Sequence, residues 1–456
     1  MKSTKSHIRP LLSLALPVAA SQVSDMLVMV SDAIMVGPLG AVPLAGVSLA
    51  GAVSAIAMLF AVGFTVAITP LAGEAYGRRS MADVALYVRM GTISSIAITI
   101  ILTGLLLVFS TRLDLLGASA DVTAQAVPYF RWIIASVFFR IVFGCFKQTA
   151  EAMANTRVSM IINVATNVIN IFLNWVFIYG ELGMPEMGAE GAGFATFLAR
   201  GLAAFAAIAL FITMPFFKQL RSAAHQKVGW ATQRKALLEC LSNGLGIGVQ
   251  ILVEVLAFTS GVFMLGRISA TAVAAHQIAM NLASTTFMVA LGLGSAATIR
   301  VSNFLGNSRP TDARLTSVVA LGLVTVYMAC SAVAYLLLRH QLPHLFVNDD
   351  AVIDLTARLL LFCAVFSVFD GLQVVSMGIL RGYNDIRVPA MIATVGYLVI
   401  SIPVGYVCTF VLNLGAQGIW IGYVVGLFLA SFGYLLRLRS VMNRQPQTAA
   451  SAHVHA

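Results

Sequence analysis

Long apolar runs follow one another along this chain, and each is long enough to cross a lipid bilayer as a helix. About 20 predominantly apolar residues span the hydrocarbon core, and about twelve such runs occur within the 456 residues. Hydrophobic residues make up 59% of the sequence and charged residues only 10%, whereas soluble domains are about 50% apolar and about 25% charged. The sequence therefore predicts an all-α integral membrane protein with twelve transmembrane helices, approximately at residues 11–36, 42–69, 85–110, 124–148, 156–179, 188–214, 235–263, 271–299, 313–338, 353–379, 388–413 and 416–438.

Basic residues are concentrated in alternate connections between these runs. The formal net charge of +10 could suggest a nucleic-acid partner, but the intervening connections are poor in Lys and Arg, and one of them carries Glu181, Glu186 and Glu190. This alternation follows the positive-inside rule. It predicts a multi-pass protein with both termini in the cytoplasm and no nucleic-acid partner.

The two halves of the chain resemble each other at an offset of about 230 residues. Residues 35–50 match residues 264–279, and the pair Arg157-Val158 matches Arg387-Val388. Because six spans separate equivalent points, the halves share one orientation, as in transporters built from parallel repeats. We therefore predict an N-terminal six-helix lobe at 1–216, a cytoplasmic linker at 217–235, a C-terminal six-helix lobe at 236–440 and a disordered tail at 441–456.

Three carboxylates lie inside apolar runs, where nothing nearby in sequence neutralises them: Asp32, Glu254 and Asp370. A charge at the centre of a membrane helix costs about 3 kcal/mol or more, so such residues usually face a cavity or a partner. Their presence in both halves indicates a route for ions or cationic solutes through the membrane.

The N-terminal half adds an amide stripe to its acids. Gln22, Asp25 and Asp32 fall close to one face of the first helix, and the fifth span carries an amide at every turn; these amides are Asn163, Asn167, Asn170 and Asn174. The stripe either joins helices through hydrogen bonds or helps to hold an ion or proton beside Asp32. Asp25 either binds a cationic substrate or belongs to the Asp32 network.

In the C-terminal half, Gln250 lies one turn before Glu254, and Gln373 lies one turn after Asp370. The two acids can share a Na+, which prefers oxygen ligands, or share a proton. The alternative is an ion pair with Arg140 or Arg200, which also lie within apolar runs. Arg140 occupies the repeat position of Asp370, so it either neutralises an acid or repels a resident cation.

Motifs of soluble catalysis are missing from the sequence. It contains no P-loop, no HExxH and no GxSxG, and its five cysteines are scattered without a CxxC pair. We therefore expect a protein that is not an enzyme and that uses no cofactor besides a coupling ion.

Several segments together closely resemble the multidrug and toxic compound extrusion (MATE) family, in its bacterial NorM-like branch. They are VSDAIMVG, VEVLAF, AAHQIAMN, FIYGELGMPEMGAEGAG and VFDGLQVVSMGILRGYNDIR, and the resemblance extends from about residue 10 to residue 440. It implies a twelve-helix antiporter of two six-helix lobes in the bacterial inner membrane, which exports amphipathic and often cationic compounds in exchange for Na+ or H+. On this basis Glu254 and Asp370 match the cation site of the C-terminal lobe, and Asp32, Asn170 and Asn174 match the acidic site of the N-terminal lobe.

The chain departs from the family pattern at two positions. Similar transporters often carry Tyr one turn before the acid of the tenth helix, where this chain has Phe366, which leaves the choice between Na+ and H+ open. Arg140 is also unusual for the branch. The expected substrate cavity includes Asp25, Gln22, Gln250, Phe366, Gln373 and Met377. The expected partners are drugs, the coupling ion and membrane lipids, and a monomer is sufficient. The alternative function is a flippase for a lipid-linked glycan on a related two-lobe fold.

Overall fold

A computed structural model describes residues 5–110, 112–113 and 119–444 of the chain. These residues form twelve helices that are long and apolar enough to cross a membrane, and no β-strand occurs among them. The predicted fold class is confirmed. The helices are α1 Lys5–Val36, α2 Ala41–Gly77, α3 Met81–Ser110, α4 Ala120–Ala152, α5 Thr156–Tyr179, α6 Gly188–Thr213, α7 Trp230–Gly266, α8 Ala270–Gly306, α9 Pro310–Leu337, α10 Asp350–Gly382, α11 Arg387–Val411 and α12 Ala416–Arg444.

Side chains just before the helices explain where several of them begin. The Asp349 carboxylate accepts hydrogen bonds from the backbone N–H groups of Ala351 and Val352, at 2.9 and 3.3 Å. Ser269 accepts in the same way from the backbone N–H of Ala272, at 3.0 Å. Such N-caps satisfy backbone donors that have no partner within the helix. These caps explain why α10 and α8 begin where the corresponding apolar runs begin.

Two of the spanning helices are irregular. The hydrogen-bond pattern of α2 is irregular at Ala67, between Ala41–Val66 and Ile68–Gly77, although the backbone angles of Ala67 stay helical. In α11, wide π-helical turns at Val395–Ser401 and Val407–Val411 flank the short α-helical stretch that contains Pro403. Proline lacks a backbone donor and its ring clashes with the preceding turn, so an altered hydrogen-bond pattern beside it is expected.

The chain divides into two compact units. One consists of Ala20–Gly248, and the other consists of the described residues up to Ala19 together with those from Val249 onward. The boundaries therefore fall inside α1 and α7. In the second unit the beginning of α1 packs on α8, where Gly292 lies against Ala15 and Ala19. The units thus differ from the predicted lobes 1–216 and 236–440 in how these two helices are divided.

The predicted linker and tail are partly helical. Within 217–235 the chain forms a short helix, Lys218–Ala224, and then begins α7 at Trp230. Of the predicted tail, residues 441–444 are the last residues of α12. The remaining residues, 445–456, lie outside the described part of the chain.

Helices approach each other closely at glycines within each unit. A Cβ atom at Gly63 of α2 would collide with the backbone of Gly248 in α7, and one at Gly378 of α10 would collide with the backbone of Gly294 in α8. Small residues let membrane helices pack backbone against backbone, which increases van der Waals contact. These contacts hold in position the helices that carry the polar residues described next.

Candidate functional site

In the N-terminal unit, Asp25 on α1 is the centre of a polar cluster. Its Oδ1 atom accepts hydrogen bonds from the side-chain amides of Asn163 and Asn167 on α5, at 2.8 and 3.0 Å. Its Oδ2 atom lies 3.4 Å from the Arg140 guanidinium on α4. Both oxygens of this carboxylate are therefore engaged by donors from neighbouring helices.

The second half of the asparagine stripe faces the other acid of α1. The Asn174 amide donates to Asp32 Oδ1 at 2.5 Å and lies 3.5 Å from the Asn170 amide oxygen. Asn170 donates to the Thr196 hydroxyl on α6 at 3.3 Å. The stripe predicted from the sequence is thus divided between two carboxylates, and its bonds also join α5 to α1 and α6.

Arg200 on α6 is the second cation of this unit. Its guanidinium donates to the Ser136 hydroxyl on α4 at 2.7 Å, and it lies within electrostatic range of Asp32 and Asp25. Buried charges in a membrane protein are generally paired. With Asp25, Asp32 and Arg140, this gives the polar cluster two acids and two arginines, so both arginines have anionic neighbours in their own unit.

In the C-terminal unit, Glu254 on α7 and Asp370 on α10 lie within electrostatic range of each other. Asp370 is 4% exposed. Within the described ranges, no basic nitrogen lies within 4.0 Å of either carboxylate. The nearest cationic group for Glu254 is Arg381, which acts at longer range and donates to the Gln250 amide oxygen at 3.3 Å. The predicted pair of acids is thus brought together without a close counter-charge.

Tyr397 on α11 is a residue of this site that the sequence analysis missed. Its hydroxyl is buried, has no hydrogen-bond partner of ordinary geometry among the described residues and lies close to both Glu254 and Asp370. A tyrosine in an apolar run does not by itself indicate a functional site, because aromatic residues are common in membrane helices. Phe366, at the position where similar transporters have a tyrosine, packs instead in an aromatic cluster with Phe258, Trp420 and Tyr423.

The residues expected to line a substrate cavity fall into two groups that differ in their exposure. Gln22 and Asp25 are partly exposed, whereas four others are at most 5% exposed and lie in the packed interior of the C-terminal unit: Gln250, Phe366, Gln373 and Met377. Gln250 contacts Met377 and also donates to the Tyr434 hydroxyl at 3.2 Å. Neither amide atom of Gln373 has a hydrogen-bond partner of ordinary geometry in the part of the chain that is described, although the side chain lies close to the Tyr434 hydroxyl. Substrate contact by these residues stays a prediction.

His276 on α8 is packed rather than placed beside the acids. It is 1% exposed, and its ring lies 5.8 Å from that of Trp420 and 6.1 Å from that of Tyr423. Across the described ranges, no group of three or more His, Cys, Asp or Glu side chains is arranged to hold a metal ion. A cation at Glu254 and Asp370 would therefore need neutral oxygens to complete its ligands.

Comparison with known families identifies this arrangement of helices. The model of the family described as MatE matches residues 17–176 and 247–407, one stretch in each half of the chain. The chain belongs to the MatE family. The resemblance that the sequence motifs predicted is confirmed, and the two matched stretches correspond to the repeat.

Two bacterial relatives of this MatE protein are similar to it over nearly their whole length. A probable multidrug resistance protein NorM from Bradyrhizobium diazoefficiens is 32% identical over 438 residues, which cover 95% of this chain and 93% of the relative. The multidrug resistance protein NorM from Photobacterium profundum is 29% identical, with 96% of each chain covered. The predicted NorM-like branch is thereby confirmed.

Solved structures share the fold of this MatE protein. The Vibrio cholerae MATE transporter VcmN in its bent form superimposes with a TM-score of 0.87 at 19% identity, covering 98% of this chain and 99% of that one. A MOP-superfamily transporter from Pyrococcus furiosus, described as having a binding pocket of reverse polarity, gives a TM-score of 0.85 at 19% identity, with 96% of both chains covered. Because MatE proteins are transporters, the chain is a multi-pass membrane transporter and not an enzyme.

Proposed function

We propose that this MatE protein is a secondary active multidrug exporter of the bacterial inner membrane. It exchanges amphipathic, often cationic compounds for Na+ or H+ by alternating access, with both termini in the cytoplasm. The multidrug resistance proteins to which it is similar support the substrate class. The alternation of basic connections along the chain supports the orientation.

The coupling mechanism is supported by one observation, that Glu254 and Asp370 are buried within electrostatic range of each other. Two carboxylates in a medium of low polarity repel each other, and each loses hydration. Within the described residues, no arginine or lysine forms an ion pair with either of them, and Arg381 acts on Glu254 only at longer range. A cation or a proton bound from outside would relieve the repulsion between the two carboxylates. Binding of the ion therefore changes the energy of the conformation in which these carboxylates are open to the outside.

Exchange requires that the ion and the drug oppose each other. If ion binding favours the conformation that releases drug, then drug binding must favour release of the ion to the same extent, because such coupling is reciprocal. One positive charge moving inward through about 100 mV supplies about 2.3 kcal/mol. For an uncharged drug this corresponds to a gradient of about 50-fold. For a drug with one positive charge the two charges cancel, and the concentration gradient of the ion does the work.

Both coupling ions are chemically compatible with the site. Na+ is a hard cation that takes oxygen ligands, and the two carboxylates together with the Tyr397 hydroxyl would offer them. A proton needs only one of the carboxylates. Imposed gradients therefore distinguish the two ions better than the chemistry of the residues does.

The test is efflux of a fluorescent cationic dye from proteoliposomes that contain the full chain. A Na+ gradient and a pH gradient are imposed separately, and the double variant Glu254→Gln/Asp370→Asn serves as the control. We expect at least one gradient to drive efflux in the native protein and neither to do so in the double variant. Dye efflux that is independent of both gradients, or that is equal in the native protein and the double variant, would contradict the proposal.

A further inference from the structure

The repeat places charges of opposite sign at matching positions of the two units. Asp25 on α1 corresponds to Glu254 on α7, and Arg140 on α4 corresponds to Asp370 on α10. In both units the two matching positions lie close together, at 3.4 Å in the N-terminal unit and within electrostatic range in the C-terminal unit. The same two helix positions therefore form an ion pair in one unit and a pair of acids in the other.

The inversion continues along α4 and α10. At the same offset, Glu151 corresponds to Arg381. Glu151 is buried beside Lys147, with 4.0 Å between the charged atoms, whereas Arg381 supplies positive charge to the unit that holds Glu254. The two units thus carry opposite charges at two matching positions of α4 and α10. A single arginine substitution would have changed only one of these positions.

We propose that Arg140 acts as a covalently attached cation at Asp25, the N-terminal counterpart of Glu254, so that no coupling ion binds at Asp25. The proposal rests on the proposed function only in naming Glu254 and Asp370 as coupling acids. Asp32 lies outside this ion pair.

The surroundings of Asp25 agree with a site that is already occupied. Its Oδ1 atom has two amide donors and its Oδ2 atom has the guanidinium. The side chains of Asp25 and Arg140 are 28% and 30% exposed. The other charged groups within electrostatic range of this carboxylate are Lys147 on α4 and Arg200 on α6.

Removing the attached cation while keeping an unbranched polar side chain should expose a new ion-binding acid. The variant is Arg140→Gln, and Arg140→Lys is the control that keeps the charge. We measure proton uptake by the purified full chain between about pH 8 and pH 5, where an uncompensated buried carboxylate titrates. We expect Arg140→Gln to take up about one more proton per molecule than the native protein. Neither Arg140→Lys nor the double variant Arg140→Gln/Asp25→Asn should take up this additional proton.

Unchanged proton uptake in a folded Arg140→Gln protein would overturn the proposal, and so would an additional proton that persists in the double variant. If Arg140→Gln does not fold, Arg140→Met is measured in the same way against Arg140→Lys. The same additional proton is expected, and its absence in a folded Arg140→Met protein would contradict the proposal. Absence of gradient-driven efflux in the native protein would instead refute the proposed function, since the difference in proton uptake does not depend on transport.

Discussion

Arg140 on α4 lies 3.4 Å from the carboxylate of Asp25 on α1, although the two residues are 115 positions apart in sequence. The pair neutralises one acid of the N-terminal unit and leaves Asp32 as the acid that is bound through the Asn174 amide. In the C-terminal unit no such pairing protects Glu254 or Asp370, within the described ranges. The four acids are therefore not equivalent, and the variants below separate their roles.

Glu254→Gln and Asp370→Asn should each reduce gradient-driven dye accumulation by at least about 10-fold, because the coupling ion loses a charged ligand and with it about 1.4 kcal/mol or more. Dye efflux from proteoliposomes measures the effect. The control is Asp350→Asn at the exposed start of α10, which should behave as the native protein does. A well-folded Asp370→Asn protein with native efflux would show that the coupling ion binds elsewhere.

Tyr397→Phe removes one oxygen from the C-terminal site and preserves the packing of the ring. We expect the Na+ affinity to fall about 3- to 10-fold, because one polar interaction contributes about 1 kcal/mol. Efflux driven by a pH gradient should change little. The measurement is efflux rate against Na+ concentration, with Tyr406→Phe as the control on the same helix, since the Tyr406 side chain is 48% exposed. Equal Na+ affinities in the two variants would exclude the Tyr397 hydroxyl as a ligand.

Asn174→Ala should lower the stability of the protein by about 1 kcal/mol, the size of an interhelical hydrogen bond in a membrane. Asn174→Asp should cost more at neutral pH, because it places a second carboxylate beside Asp32. This additional destabilisation should disappear at low pH, where one of the two acids is protonated. Thermal unfolding in detergent across pH tests the expectation, and a destabilisation of Asn174→Asp that is independent of pH would contradict it.

Gly378→Ala should destabilise the C-terminal unit by about 1 to 3 kcal/mol, since the added methyl group meets the backbone of Gly294 and the two helices must separate. Gly104→Ala is the matched control. Gly104 also lies within a membrane helix, but nothing lies within 4 Å of a Cβ added there, and alanine favours the helix by about 1 kcal/mol. Thermal unfolding should therefore separate the two variants by several degrees, and equal melting temperatures would show that α8 and α10 adjust freely.

The helices were predictable from the sequence because hydropathy is a local property. The predicted span 85–110 corresponds to Met81–Ser110, and 353–379 corresponds to Asp350–Gly382. Differences at the ends arise from polar residues of the helix termini, such as the Asp349 cap, which extend a helix beyond its apolar run.

The candidate site was predictable only in part. Asp32, Glu254 and Asp370 were predicted from their position in apolar runs, because a charge inside the membrane is costly and is usually functional. Tyr397 gave no such signal, since its ring suits an apolar helix whether or not its hydroxyl has a role. The asparagine stripe predicted one polar face, and the structure divides that face between Asp25 and Asp32.

By itself the sequence determined twelve membrane spans, a repeat and the acids buried within it. Only the tertiary structure decided that Arg140 lies beside Asp25 and that Glu254 and Asp370 lie within electrostatic range of each other. The physical reason is that apolar runs are recognised from neighbouring residues, whereas a side-chain contact depends on how helices distant in sequence are rotated and packed against one another.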